Sequence, residues 1–89
     1  MDEREIERVY KAVANRKRVL IVRYLQAVRT ATVGDIAKAI RLSFKATSRH
    51  LQLLSGTGYV TSEQHGLYVY YSLSPKSDFI NRVLRTVNL

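Results

Sequence analysis

Between Ser43 and Leu54 the chain reads Ser-Phe-Lys-Ala-Thr-Ser-Arg-His-Leu-Gln-Leu-Leu, side chains whose types and spacing can read a nucleic acid. On a helix, at about 100° per residue, Lys45, Ser48, Arg49 and Gln52 fall at i, i+3, i+4 and i+7. They form one polar face that contains no acid. Phe44, Thr47, Leu51 and Leu54 take the other side. Such a helix suits a DNA major groove: Lys and Arg donate to guanine acceptors, Gln pairs with adenine, and Ser takes either partner or a phosphate. The same pattern alone also describes a solvated surface helix, so the flanking sequence has to separate the two.

Other reactive side chains are sparse. The chain has no cysteine, which excludes disulfides, thiolate metal sites and thiol catalysis. Ser48 and His50 are two residues apart, so on a helix they point in different directions, and no acid is near to orient the imidazole. The pattern is not that of an enzyme. His50, near the edge of the apolar arc, reads as a partly buried hydrogen-bonding residue, with a base contact as the competing role. His65 reads as a turn residue or a phosphate contact. Phe44 reads as packing with Leu51 rather than touching a thymine methyl. Tyr59, Tyr68, Tyr70 and Tyr71 read as structural, because a small wing is a poor platform for base stacking.

Charge points the same way as the helix. The 89 residues carry fifteen Lys and Arg against seven Asp and Glu, a net +8. Asp2, Glu3, Glu5 and Glu7 gather the negative charge at the start, so residues 8–89 hold fourteen basic and three acidic side chains. A surface this basic attracts polyanions, of which nucleic acid is the commonest in cells. No apolar run approaches the roughly 18 residues of a membrane span, and the acidic start is unlike a signal peptide. The expectation is one cytoplasmic domain over residues 1–89, without membrane attachment.

The elements that would hold the reader helix follow from periodicity. Ile6, Val9, Tyr10 and Val13 mark a first helix over about 2–14, with Asp2 and Glu3 at its positive end. Asn15 suits the N-cap of a second, in which Val19, Ile21, Val22, Leu25 and Val28 are apolar. Arg16, Lys17 and Arg18 open that helix at the end its dipole makes unfavourable for cations. Either a phosphate supplies the missing charge or the run is simply tolerated. Arg29-Thr30-Ala31 reads as a short extended segment. Thr32-Val33-Gly34-Asp35 has the form of a capping box for a third helix, with Ile36, Ala37 and Ile40 inward. After Arg41-Leu42, Ser43 caps the reader helix, and Gly58 ends it. Two short helices so joined make a helix-turn-helix. From Tyr59 the period becomes 2: strands over 59–64 and 67–73 flank His65-Gly66 as a hairpin turn. Ser74-Pro75 begins a last helix over about 75–88, with Phe79, Ile80, Val83, Leu84 and Val87 as its apolar stripe. The fold class is mainly α with a small β-hairpin wing: a winged helix-turn-helix in the order helix, helix, strand, helix, helix, strand, strand, helix.

With these elements in place the chain resembles the ArsR/SmtB-type bacterial and archaeal repressors. The matching stretches are residues 13–19, Thr32-Val33-Gly34-Asp35-Ile36-Ala37, Leu42-Ser43, Ser48-Arg49-His50-Leu51, Leu54, Gly58-Tyr59-Val60 and Tyr70-Tyr71. The resemblance implies a homodimer paired through its first and last helices, each protomer setting residues 43–54 in a major groove of double-stranded DNA. Lys45, Ser48 and Arg49 would meet bases or nearby phosphates, and Gln52 the backbone. Arg18, Arg41, Ser43 and His65 complete the expected DNA-contacting set. Ile6, Val9, Tyr10, Val13, Ile80, Val83, Leu84 and Val87 form the expected dimer seam, since two apolar stripes exceed what one small core covers.

The departures are informative. Metal sensors of the family carry Cys-x-Cys on the helix that here begins near Thr32, or an Asp/His set on the last helix. This chain has Thr30-Ala31-Thr32-Val33 at the first place, and Asp78, Asn81 and Asn88 without a histidine at the second. No metal and no cofactor are expected. Family wings are rich in Arg, whereas this tip reads Glu63-Gln64-His65-Gly66. The expected function is a dimeric, sequence-specific DNA-binding regulator, most simply a repressor. A non-specific nucleic-acid organiser and a protein-interaction module are the alternatives.

Overall fold

The computed structural model describes residues 2–86. Five helices and three strands follow one another as α1 (Glu3–Val13), α2 (Arg16–Val28), β1 (Thr30–Thr32), α3 (Val33–Ile40), α4 (Phe44–Gly56), β2 (Val60–His65), β3 (Tyr68–Leu73) and α5 (Ser77–Thr86). Four starts are fixed by the side chains that local sequence marks out. Asp2 accepts from the Glu5 amide at 2.8 Å, and Asn15 from those of Lys17 and Arg18 at 3.1 and 3.2 Å. Thr32 accepts from Asp35 at 3.2 Å and Ser43 from Ala46 at 3.1 Å. Each bond satisfies an amide that the first helical turn otherwise leaves unpaired.

The strands form one antiparallel sheet in the order β1-β3-β2. Ala31 pairs with Tyr71, and Val60 with Leu73. Because residues opposite one another share a face, Ala31, Val60, Tyr71 and Leu73 all turn to the helices. The core joins Ile21, Val22 and Leu25 of α2, Val33, Ile36 and Ile40 of α3, Leu51 and Leu54 of α4, and Tyr59 and Val60. Val9 of α1 and Ile80 of α5 complete it. The reader helix is therefore clamped along Thr47, Leu51 and Leu54, all fully buried.

Three boundaries differ from expectation. The hairpin turns at Gly66-Leu67, one residue later than His65-Gly66, with His65 opposite Tyr68. Gly66 has φ +63°, the requirement at the first loop position of a type II′ turn. A loop at His65-Gly66 would impose that conformation on histidine. Leu67 thereby leaves the strand for the tip, and Val69 stays exposed while Tyr71 and Leu73 pack inward. The last helix starts at Ser77 instead of Pro75, because the Ser74 amide still bonds to the Tyr59 carbonyl at 3.0 Å and holds the chain on the sheet. Ser74 also donates to the Gly58 carbonyl and accepts from the Lys76 amide. Finally, the extended segment is Thr30–Thr32, with Arg29 as the C-cap of α2.

The expected dimer seam is corrected at two positions. Val9 and Ile80 are 1% and 2% exposed within the protomer, so its own core claims them. Ile6 and Val13 are half-buried and Tyr10 is exposed. The side chains of Val83 and Leu84, and all of Val87, lie outside the described residues.

Candidate nucleic-acid interface

Helix α4 presents the reading face by burying its back. With Thr47, Leu51 and Leu54 in the core, the 3.6-residue period turns Lys45, Arg49 and Gln52 out to solvent, and Ser48 is half-buried beside them. These four side chains border one shallow hollow together with Phe44. No acidic side chain lines it. Phe44 corrects its expected packing role: it is 64% exposed at the start of α4, on the same side as Lys45 and Ser48. Its angular position put it with Leu51, but the first helical turn projects past the core that Leu51 enters.

Ser43 spends its hydroxyl oxygen on the cap of α4, leaving its proton to donate. Arg41 is exposed at the turn between α3 and α4, in the left-handed conformation with φ +56°. Its amide closes on the Lys38 carbonyl at 3.3 Å. Its exposed side chain lies at the head of the reader helix.

Arg18 borders a neighbouring hollow rather than the one around Lys45 and Arg49, and its half-buried guanidinium is bonded inward. Its Nη1 donates to the Ala12 carbonyl at 3.1 Å, and its Nε donates to His50 Nδ1 at 3.1 Å. Lys17 is turned inward as well, with Nζ on the Ile40 carbonyl at 3.3 Å. Ala12 lies in the last turn of α1, and Ile40 ends α3. Cations at the unfavourable end of α2 are therefore at the favourable end of two neighbouring helices. Neither of the two readings of the Arg16-Lys17-Arg18 run anticipates this, since both look for a partner outside the protein or none. Arg16 alone of the three is exposed.

His50 is the half-buried hydrogen-bonding residue expected of it, bound to α2 through Arg18. Burial lowers its pKa below 6.5, assisted by the positive charges of Arg18, Arg49 and Lys17. It stays neutral and accepts, which fixes the proton on Nε2. His65 turns along its strand, with Nε2 3.5 Å from a Glu63 carboxylate oxygen and its ring edge-on to Tyr70 at 5.8 Å. A carboxylate so close opposes a phosphate at the same point.

Two features of the surface escape the sequence. Arg8 and Lys11 of α1 border a second hollow, with Arg18 of α2 and Gln52 and Leu53 of α4, that extends the basic face beyond the reader helix. Lys11 is shared with Glu7 at 3.1 Å. The helical spacing from Arg8 to Lys11 was readable, but which face of α4 it adjoins depends on the packing of α1. On the other flank, a cleft of ≈ 400 Å³ separates α4 from the wing, bordered by Phe44 and Ser48 on one side and Leu67, Tyr68 and Val69 on the other. Among the described residues no group of three or more His, Cys, Asp or Glu side chains is placed to hold a metal ion. None of the described helices is long and apolar enough to cross a membrane.

A capped three-helix core, an exposed basic helix and an antiparallel wing define a winged helix-turn-helix domain. The family model for bacterial regulatory proteins of the arsR family matches residues 15–62, more than half of the chain, and the chain belongs to that family. It is 35% identical over 69 residues to a cadmium resistance transcriptional regulatory protein CadC homolog of Staphylococcus aureus, covering 78% of this chain and 57% of that one. It is 29% identical over 77 residues to the HTH-type transcriptional regulator YgaV of Escherichia coli (strain K12), covering 86% and 76%. The chain thus spans little more than half of the staphylococcal relative. Among solved structures, a possible transcriptional regulator for arsenical resistance superposes with a TM-score of 0.79 at 30% identity, covering 86% of this chain and 79% of that one. The homodimeric winged helix-turn-helix DNA-binding domain of Mb0332 from Mycobacterium bovis does so with a TM-score of 0.77 at 30% identity, covering 91% and 72%. The two curated relatives are named as transcriptional regulators, and the two structures as possible ones.

Proposed function

We propose that the chain is a sequence-specific, double-stranded-DNA-binding transcriptional regulator that acts as a homodimeric repressor by occupying its operator. The observation that carries this reading is the acid-free face of α4, where Lys45, Ser48, Arg49 and Gln52 stand around one hollow on a helix whose back is fully buried. A helix clamped in this way presents its donors in fixed register, which is what discrimination between base edges requires. Arg41, Ser43 and Arg16, with Arg8 and Lys11 behind them, supply phosphate contacts. Arg18 is a structural residue in this scheme.

The homodimer reading is supported by the Mycobacterium bovis neighbour and by Tyr10 and Phe79, exposed on helices α1 and α5. A two-fold axis beside those helices would put the two reader helices about one DNA turn, ~34 Å, apart. The absence of cysteine supports operation without the metal suggested by the name of the staphylococcal relative.

Selection of bound sequences from a random DNA pool, followed by competition with bulk DNA, tests the proposal. A specific regulator prefers its selected site by a factor on the order of 10³ or more, unchanged by a chelator. Equal affinity for selected and bulk DNA would leave only a non-specific organiser.

A further inference from the structure

We propose that Leu67 is an apolar wedge that enters the DNA minor groove beside each reader helix and unstacks a base step there. The inference rests on the DNA-binding reading above and adds to it a residue and a mode of contact. Leu67 is 95% exposed at the tip of the β2–β3 hairpin. Gly66, at φ +63°, closes the loop in two residues, so the tip is narrow. Behind it the strands are paired without a break, His65 to Tyr68 and Gln64 to Val69. A branched apolar side chain is thus held at the end of a stiff ribbon with almost no contact to its own protein.

The composition of the tip excludes the alternative way of gripping DNA. Neither Lys nor Arg lies on the hairpin, and His65 Nε2 stands 3.5 Å from a Glu63 carboxylate oxygen. No Lys or Arg side chain is there to meet a phosphate or to follow the negative potential of a narrow groove. Leu, however, is one of the side chains that proteins insert between base steps in a minor groove.

Position assigns the occupant. Leu67, Tyr68 and Val69 form one wall of the ≈ 400 Å³ cleft, and Phe44 and Ser48 form the other. Phe44 and Ser48 also border the hollow that holds Lys45, Arg49 and Gln52. The apolar tip is therefore continuous with the basic reading face, and a duplex seated on α4 runs past the wing. Insertion there would kink the DNA and create a preference for an easily unstacked pyrimidine–purine step at a position touched by no polar side chain.

The test uses the selected DNA site, labelled at both ends for energy transfer and scanned with 2-aminopurine along each flank. The native protein should bend it by about 20° or more and raise 2-aminopurine fluorescence at one step outside each half-site. Leu67→Ala should lose most of the bend and the fluorescence rise, and bind about tenfold more weakly. Leu67→Arg should recover affinity without the bend, and steepen the salt dependence by about 0.9 per protomer. Both variants should melt with the native protein, since Leu67 packs against so little. Straight DNA in the native complex, or a Leu67→Ala protein that bends its site normally, would overturn the wedge while leaving the reader helix standing. Failure of the native protein to prefer any selected site would overturn the DNA reading and the wedge with it.

Discussion

Replacing Arg18 by alanine separates the role that its sequence position suggests from the role its contacts give it. The guanidinium makes two hydrogen bonds, to the Ala12 carbonyl at the end of α1 and to His50 Nδ1 on the reader helix, each at 3.1 Å. A hydrogen bond to a charged group contributes about 1.5–3 kcal/mol when well shielded, and favourable placement at a helix C-terminus about 0.3–1 kcal/mol. Arg18 is half-buried, so the lower end of both ranges applies. With two such bonds and the helix-end placement the variant should lose about 3 kcal/mol, which for a domain of this size lowers Tm by roughly 12–24 °C. Thermal and urea unfolding at fixed protein concentration measure it, and a double-mutant cycle with His50→Ala should return a coupling of about 1 kcal/mol. The slope of log affinity against log salt should not change. A protein of native stability whose salt slope falls by about 0.9 per protomer would put Arg18 on a phosphate and refute the reasoning.

Thr47→Val should raise stability by about 1 kcal/mol, because the hydroxyl is fully buried with no hydrogen-bond partner among the described residues and valine keeps its shape; a lower Tm would mean that the oxygen is satisfied. His50 gives a pH dependence of definite sign. Its folded pKa is lowered from 6.5, so the stability it contributes is complete above about that pH. That stability declines as pH falls from there through the folded value, where the unfolded state takes up the proton first. His50→Gln should flatten urea-unfolding stability over that window. Arg41→Gly should relieve a left-handed φ of +56°, which costs a non-glycine residue about 1–2 kcal/mol. Glycine's larger entropy loss on folding, about 0.5–1 kcal/mol, offsets part of this. The variant should be slightly more stable yet bind DNA more weakly, with a salt slope reduced by about 0.9 per protomer.

What the sequence discloses here is what neighbouring residues settle among themselves. The helix starts at Asp2, Asn15, Thr32 and Ser43 are caps made with amides two or three residues on; the last three read as caps in the sequence, and Asp2 only as an acid at the positive end of its helix. Period alone finds the buried Ile21, Val22 and Leu25 of α2 and the stripe of α3, but it also assigns Val19 and Val28 to the apolar side of α2, where both are exposed. Arg18 meets His50 thirty-two residues away, and Lys17 meets Ile40 twenty-three away, so their roles depend on how three helices pack. Phe44 was misplaced because helical angle says which way a side chain points, not whether a core extends that far. Val9 and Ile80 look like surplus apolar surface only until α1 and α5 are seen to close over the core. The hairpin turns one residue later than His65-Gly66 because glycine takes the positive φ that the first loop position requires.

The most direct test of the reading face is the affinity of Arg49→Ala for its selected site and for bulk DNA, measured side by side at one salt concentration. Arg49 is exposed beside Lys45, Ser48 and Gln52 and makes none of the inward contacts that hold Lys17 and Arg18. The variant should fold normally and lose about 1–3 kcal/mol on the selected site with a much smaller loss on bulk DNA, so that the preference between them collapses. An equal loss on both, with the preference intact, would contradict α4 as the element that reads the sequence.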